Sequence, residues 1–249
     1  MPRGRARGYE LQRETILARA AELFARHGYT ATTMNQVAEA CGVSKPSLYH
    51  YVRDKHQLLA EIAAGHIARL LALVDEVGAA SHEPEARVRA LITAFLAVYA
   101  DSQNEHRVLT EDVRFLASTE RRRVLGGERK VVAAFADAIV AARPDLRSAG
   151  LEKPLAMLLF GMMNWMFTWL QPKGPLSHSD MAPVVADLFF GGLASVRPPD
   201  GRPAAAPTNP PSPSLHRNGD TACPSPELPS SPSASPRRPR SRAPTSTSA

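Results

Sequence analysis

The sequence predicts an all-α protein, and three observations predict it. Apolar residues recur at three- and four-residue spacing through most of the chain up to Val196. No stretch alternates apolar and polar residues in the way a half-buried strand does. Glycines, prolines and small polar capping residues fall at the ends of the periodic runs, where they start and stop helices. About nine helices are expected.

In chain order, residues 1–8 form a basic Gly/Arg arm (Arg3, Arg5, Arg7) with nothing to bury. The first helix is expected from about Glu10 to His27, with Ile16, Ala20, Leu23 and Phe24 on one face. Gly28 follows it, where a C-terminal glycine belongs. Thr33 is the N-cap of a short second helix carrying Met34, Val37 and Ala38, which stops at Gly42. Ser44 caps the third, with Pro46 tolerated in its first turn. Asp54 caps a long fourth helix that runs through Leu58, Ile62, Ile67, Leu70 and Leu73 to about Val77. After a break at 78–84, helices are expected at 85–100, 105–117 and 120–142. Arg143-Pro144-Asp145 is another stop, and a strongly apolar helix then covers 152–171. Pro172 and Pro175 end it, and a last helix spans about 179–196.

Beyond Val196 the composition changes to Pro, Ser, Ala and Arg, and this segment holds most of the 22 prolines. It lacks the apolar area to offset the entropy of ordering, so 198–249 is expected to be a disordered tail. The domain reading is therefore a basic arm at 1–8, a head at 9–54, a larger helical domain at 55–197 and the tail.

Composition narrows the functional class. A net charge of +6 and a pI near 9.7 favour polyanionic partners, although part of the excess lies in the tail. The two cysteines, Cys41 and Cys223, make no disulfide framework or metal spacing, which suits a reducing cytoplasm. The basic N-terminus has no apolar stretch behind it, so no signal peptide is read. Leu155 to Leu170 falls short of the ~20 apolar residues of a membrane span. No Ser/His/Asp set, carboxylate pair, phosphate-cradling glycine loop or metal-ligand grouping is visible, so an enzyme is not expected, nor is a metal or a cofactor.

Residues 30–59 carry the functional signal. Two short helices joined by a tight turn, the second ending in adjacent aromatics, are the layout of a helix-turn-helix, whose second helix enters the DNA major groove. Leu48 would face the core with Val37, Ala38 and Val43, leaving Ser44, Lys45, Pro46, Ser47, Tyr49 and His50 on the exposed side. Lys45 can reach a guanine edge or a phosphate, Ser47 several base edges, and Pro46 only an apolar group such as a thymine methyl. Tyr49 and Tyr51 suit phosphate hydrogen bonds, which fix register. Thr33 and Lys55 stand at helix starts, where amides favour anions. Taken one at a time, each aromatic could equally be packing and each lysine a solvated face.

The run from Thr33 to Leu59 resembles the N-terminal signature of TetR/AcrR-family transcriptional regulators. The resemblance rests on Thr33, Val37-Ala38, Ala40, Gly42-Val43-Ser44, Leu48-Tyr49, Lys55 and Leu58-Leu59, with Ile16, Ala20, Leu23, Phe24 and Gly28-Tyr29 upstream. Pro46 stands where the family usually has Gly, Tyr51 where His is common and Val52 where Phe is common, which leaves base preference open. The resemblance implies a homodimer formed through 152–171 and 179–196, an inverted-repeat operator, and release of DNA by a small effector bound in the C-terminal domain.

Residues Leu159 to Trp165, Trp169, Gly174 to Ser177 and Leu188 to Leu193 resemble one branch of the family, repressors of fatty-acid, steroid and phenylacetate catabolism that respond to acyl-CoA thioesters. That implies an acyl-CoA effector, with phenylacetyl-CoA as the leading member. Phe95, Tyr99, Phe115, Arg122, Asn164, Trp165 and Trp169 are the candidate effector-contacting residues. Apolar and aromatic side chains suit such a pocket, and Asn164, an amide inside an apolar helix, needs a partner. Arg122 belongs to a basic cluster with Arg114, Arg121, Arg123, Arg129 and Lys130 that could meet CoA phosphates. Two alternatives stay open: an efflux regulator responding to hydrophobic drugs, and a helical ligand-binding or membrane-associated protein that binds no DNA.

Overall fold

The structure, a computed structural model, describes residues 3–80, 83–171 and 174–196, with side chains described from Arg7 onward. The tail expected at 198–249, Cys223, and the side chains of Arg3 and Arg5 lie outside the described residues. Within them the chain is all-helical, with nine α-helices and three short 3₁₀ turns.

α1 spans Arg3–His27, α2 Met34–Ala40 and α3 Lys45–Leu48. α4 spans Lys55–Ala79, α5 Pro84–Asp101 and α6 Gln103–Asp112, followed by a 3₁₀ turn at Val113–Phe115. α7 covers Ser118–Ala142, with a 3₁₀ turn after it at Pro144–Leu146, and α8 covers Glu152–Asn164. A 3₁₀ turn at Met166–Thr168 leads to α9, His178–Leu193.

The capping expectations hold at the residues named for them. Thr33 makes a full capping box with Gln36, Ser44 Oγ accepts the Ser47 amide, and Asp54 accepts the Gln57 amide at 2.7 Å. Gly28 and Gly42 have φ of +83° and +63°, left-handed values that glycine adopts without penalty. Gly28 closes α1 and Gly42 makes the tight turn between α2 and α3.

Two expectations are corrected. Residues 3–8 of the expected arm are not separate, because α1 already starts at Arg3. Arginine and alanine propagate a helix well, and Tyr9 gives the extension something to dock on, as described below. The single helix expected over 152–171 ends at Asn164. Past that point Trp165, Phe167, Thr168 and Trp169 are poor helix formers, and the Thr168 hydroxyl takes the Trp165 carbonyl at 2.7 Å.

Ile16, Ala20, Phe24, Tyr29, Val37, Ala38, Leu48 and Val52 bury the N-terminal helices against the start of α4, through Leu58 and Leu59. α1 also packs along α6, and α4 packs against α5, α6 and α7. α7 lies on α5 and α8, and α5 carries α9. Among the described residues α4 is the one helix long and apolar enough to cross a membrane. Its Leu58, Leu59, Ile62, Ala63, Ile67 and Leu70 are instead buried in this core.

Candidate nucleic-acid interface and effector site

α3 has four residues, too few to be stable alone in water. It forms because Leu48 is fully buried in the same core as Val37 and Ala38, and because Ser44 satisfies one of its free amides. With Leu48 pinned, Ser44, Lys45, Pro46, Tyr49 and His50 are exposed, and Ser47 is half-buried. Tyr49, 45% exposed, is a large ring held out into solvent from an otherwise well-packed segment. Tyr51 is half-buried because its ring stacks on Tyr9 at 4.8 Å, while the Tyr9 hydroxyl donates to the His50 carbonyl at 3.3 Å. The beginning of α1 therefore braces the end of α3.

The helix starts around this element share one design. Thr33, Ser44 and Asp54 each satisfy the amide three residues on. The first amides of α2 and α4, at Met34, Asn35, Lys55 and His56, have no intrahelical acceptor and are the natural donors for an anion. The Thr33 hydroxyl is committed to Gln36.

Lys55 stands at the start of α4, as expected, and its side chain is engaged within the protein. Its ammonium donates to the carbonyls of Tyr29, Thr30 and Thr32 at 2.8, 3.2 and 2.8 Å. It also lies 4.5 Å from the centre of the Tyr29 ring. An ammonium has three protons, so none is left for a phosphate. Lys55 thereby clamps the loop between α1 and α2.

Tyr29 is the hub of this junction. Its hydroxyl meets His56 Nδ1 at 2.9 Å, and its ring stacks on Phe115 at 5.3 Å. Burial, then the nearby Asp54 and Asp112, raise its pKa. Asp112, at the end of α6, is itself pushed up to about 6 by burial and by Glu111, against the pull of Arg114, Arg107 and the Tyr29 amide.

In the larger domain an aromatic core is topped by a buried polar cluster. Phe95, Phe135 and Phe160 pack edge to face or tilted, with Phe95–Phe135 centroids at 4.9 Å. Above Phe95, Tyr99 stacks on His106 at 3.7 Å and donates its hydroxyl to Asn164 Oδ1 at 2.9 Å. His66 Nε2 meets His106 Nδ1 at 3.4 Å, so one neutral ring donates to the other. Burial lowers both, His66 to about 4 and His106 to about 3. His106 Nε2 is buried without a hydrogen-bond partner; the Asn164 carbonyl pulls on the ring without reaching bonding geometry. Glu128, on α7, is pushed up to about 7 by burial despite Arg129, and its charge acts on Tyr99.

Of the seven effector candidates, the structure brings together Phe95, Tyr99 and Asn164. It does not bring the others to them. Phe115 stacks on Tyr29 at the head junction, with the Arg114 guanidinium 4.9 Å from the centre of its ring. Arg122 is exposed on α7. Trp165 and Trp169 are 61% and 53% exposed, because α8 ends before them and turns their rings outward. The residues missed from sequence are His66, His106 and Tyr9, while Tyr29 entered only as part of the family resemblance and not as a hub. For the histidines the signal was their place on the apolar faces of helices; Tyr9 gave none beyond aromaticity.

Comparison with known proteins agrees with this geometry. Residues 16–62 match the family described as bacterial regulatory proteins, tetR family, and residues 81–193 match the tetracyclin repressor-like C-terminal domain. A TetR-family transcriptional regulator from Bordetella parapertussis, of known crystal structure, is 34% identical with a TM-score of 0.70, covering 74% of this chain and 97% of its own. The HTH-type transcriptional repressor KstR2 of Rhodococcus jostii is 25% identical over 187 residues, 74% of this chain and 92% of its own. AibR, solved in complex with isovaleryl coenzyme A and operator DNA, matches at 24% identity and a TM-score of 0.63, over 72% of this chain and 98% of its own. At that identity the likeness is one of fold.

Proposed function

The chain belongs to the TetR family of bacterial transcriptional regulators, and from that premise we propose a homodimeric repressor that binds an inverted-repeat operator and releases it on binding a CoA thioester. In this reading 9–54 is the DNA-binding head, 55–197 the effector-binding and dimerising domain, and the protein acts in the cytoplasm. The observation that carries it is α3: a four-residue helix held by buried Leu48 with Lys45, Pro46, Tyr49 and His50 turned to solvent.

Lys45, Pro46, Ser47 and His50 are assigned to base choice, and Ser44, Tyr49, Tyr51 and the first amides of α2 and α4, at Met34, just after the Thr33 cap, and at Lys55, to the phosphates. Two heads related by a two-fold would read half-sites about 34–36 Å apart, or somewhat more. The dimer is supported by the apolar side chains that α8 and α9 leave exposed, Leu158, Val184 and Leu188 among them.

The effector is assigned to the Phe95–Tyr99–Asn164 region, where apolar walls meet a few convergent polar groups. AibR, a fold relative, was solved with isovaleryl coenzyme A, which supports the thioester class; phenylacetyl-CoA is the first compound to try. A ligand that favours the non-binding arrangement of heads lowers operator affinity by the factor by which DNA lowers its own.

The test is fluorescence anisotropy with DNA from upstream of the chain's own gene at moderate salt. Lys45→Ala with Tyr49→Ala is expected to abolish specific binding while leaving helicity unchanged, and phenylacetyl-CoA, but not the free acid, to release the wild-type complex. A double variant that binds like wild type sinks the assigned recognition face. Release by cationic drugs alone sinks the thioester reading in favour of an efflux regulator.

A further inference from the structure

A cleft of about 390 Å³ opens between α1 and α6, walled by Ala25 and Arg26 on one side, Gln103, Asn104 and Arg107 on the other, and Phe167. Its charge is unevenly committed. Arg26 is exposed and makes no ion pair among the described residues. Arg107 pairs through Nε with Glu111 at 3.1 Å, and its guanidinium lies 5.7 Å from the centre of the Phe167 ring. The one carboxylate in the wall, Glu22, is taken by Arg19 at 2.9 Å.

The start of α6 adds to this positive character. Ser102, its N-cap residue, makes no side-chain cap, and its hydroxyl accepts from Arg69 Nη1 at 2.7 Å. The first amides of the helix, at Gln103 and Asn104, therefore lack a side-chain acceptor at the cleft's edge.

Phe167 has a second neighbour. Its ring stands 6.1 Å, edge to face, from that of His106, whose buried Nε2 has no hydrogen-bond partner. One aromatic side chain thus separates a wet, cationic surface cleft from the dry polar cluster of His106, Tyr99 and Asn164. A ligand with a polyanionic end and an uncharged polar end matches that pair of environments.

We propose that the cleft binds the phosphate-bearing end of the effector, through Arg26, Arg107 and the α6 amides, and that Phe167 is the gate its acyl end passes to reach Tyr99 and Asn164. This rests on the thioester reading above and moves its phosphate contacts from the Arg122 cluster to Arg26 and Arg107. Guanidinium groups bind phosphate oxygens in bidentate fashion, and a flat ring beside them can stack on a purine. The location also gives the regulation. Arg26 lies on the helix that braces α3, and Arg107 on the helix that ends at Asp112 and the Tyr29 hub. A ligand bridging them holds α1 to α6 at one spacing, and any difference in that spacing between free and DNA-bound states becomes a loss of operator affinity.

The experiment uses the full chain and adenosine 3′,5′-bisphosphate, the anionic end of coenzyme A without its thiol arm, titrated calorimetrically at low salt. Wild type is expected to bind it. Arg26→Ala with Arg107→Ala should weaken binding at least 20-fold with an unchanged circular dichroism spectrum, and raise by a similar factor the phenylacetyl-CoA concentration needed for half-release of the operator. Asn104→Asp, which brings a carboxylate to the cleft without removing an arginine, should weaken binding too and covers the case in which the double variant does not fold. No bisphosphate binding by wild type, or equal binding by the variants, overturns the proposal. If the bisphosphate binds through the arginines but no thioester releases DNA, the cleft stands and the effector reading falls. If thioesters release wild type and double variant alike, the effector reading stands and the cleft falls.

Discussion

Position 55 holds a lysine whose charge faces inward to three carbonyls rather than outward to DNA. Lys45, by contrast, is exposed at the start of α3. The two lysines should therefore separate in a salt titration of operator binding. Lys45→Ala is expected to reduce the slope of log Kobs against log salt by about 1, because one phosphate or base-edge cation is lost. Lys55→Ala should leave the slope unchanged and instead lower unfolding stability by about 2 kcal/mol, measured by urea denaturation, since charge-assisted hydrogen bonds in one loop are lost together. A reduced slope for Lys55→Ala would return it to the phosphate contacts. Glu128 offers a pH test. Burial raises it from an ordinary 4.5 to about 7, so the folded state holds its proton more tightly than the unfolded chain does. Its contribution is complete below about pH 4.5 and is lost as pH rises through about 7. His66 and His106, lowered by burial, run oppositely and lose stability as pH falls from 6.5 toward 4 and 3. Comparing Glu128→Gln with wild type cancels the histidines. The variant should be more stable by about 1–3 kcal/mol at pH 8 and little different at pH 4.5, read from thermal melts.

At the scale of elements, α4 is in a position to carry a signal, because it starts beside α3 and runs between α5, α6 and α7. It packs tightly against α7 at a glycine. A Cβ on Gly127 would stand 2.7 Å from Ile67 Cγ1, inside a buried, branched side chain that cannot swing away. On Gly126 it would meet only an Arg129 guanidinium nitrogen at 3.7 Å. The neighbouring substitutions should therefore have opposite signs. Gly126→Ala gains helix propensity and is expected to stabilise by up to about 1 kcal/mol. Gly127→Ala gains the same propensity but must push α4 away, and is expected to destabilise by about 1–3 kcal/mol, as overpacked core sites do. Denaturant midpoints of the two variants decide this, and equal effects would mean that α4 and α7 are not in close contact. α3 belongs to the same scale: its existence depends on one leucine and one serine cap, so Lys45 and Pro46 stay exposed.

For the whole molecule, the consequence lies on α8 and α9. Leu158 and Leu188 are each 66% exposed, an expensive arrangement for a chain that works alone. Leu158→Glu with Leu188→Glu is expected to convert a dimer into a folded monomer, seen by light scattering coupled to gel filtration. Operator affinity should then fall by about 10²–10⁴-fold, because each head binds its half-site without the effective concentration of the other. A double variant that remains dimeric would place the interface elsewhere.

Helix order, capping and the recognition segment were legible before any tertiary contact, because they depend on local rules: Thr33, Ser44 and Asp54 cap, Gly28 and Gly42 turn, and Leu48 repeats with Val37 and Ala38. These are effects of spacing and backbone geometry within a few residues. The effector side was legible only in its residue types. Whether an aromatic lies in a core, on a dimer face or at a pocket depends on which helices meet, and Phe95, Phe115 and Trp165 went to three different places. Tertiary structure alone turned Lys55 inward, paired His66 with His106 across 40 positions, and opened a cleft between arginines 81 positions apart, Arg26 and Arg107. The reason is physical: helix formation is decided by neighbours along the chain, whereas burial, charge pairing and cavity walls are decided by neighbours in space.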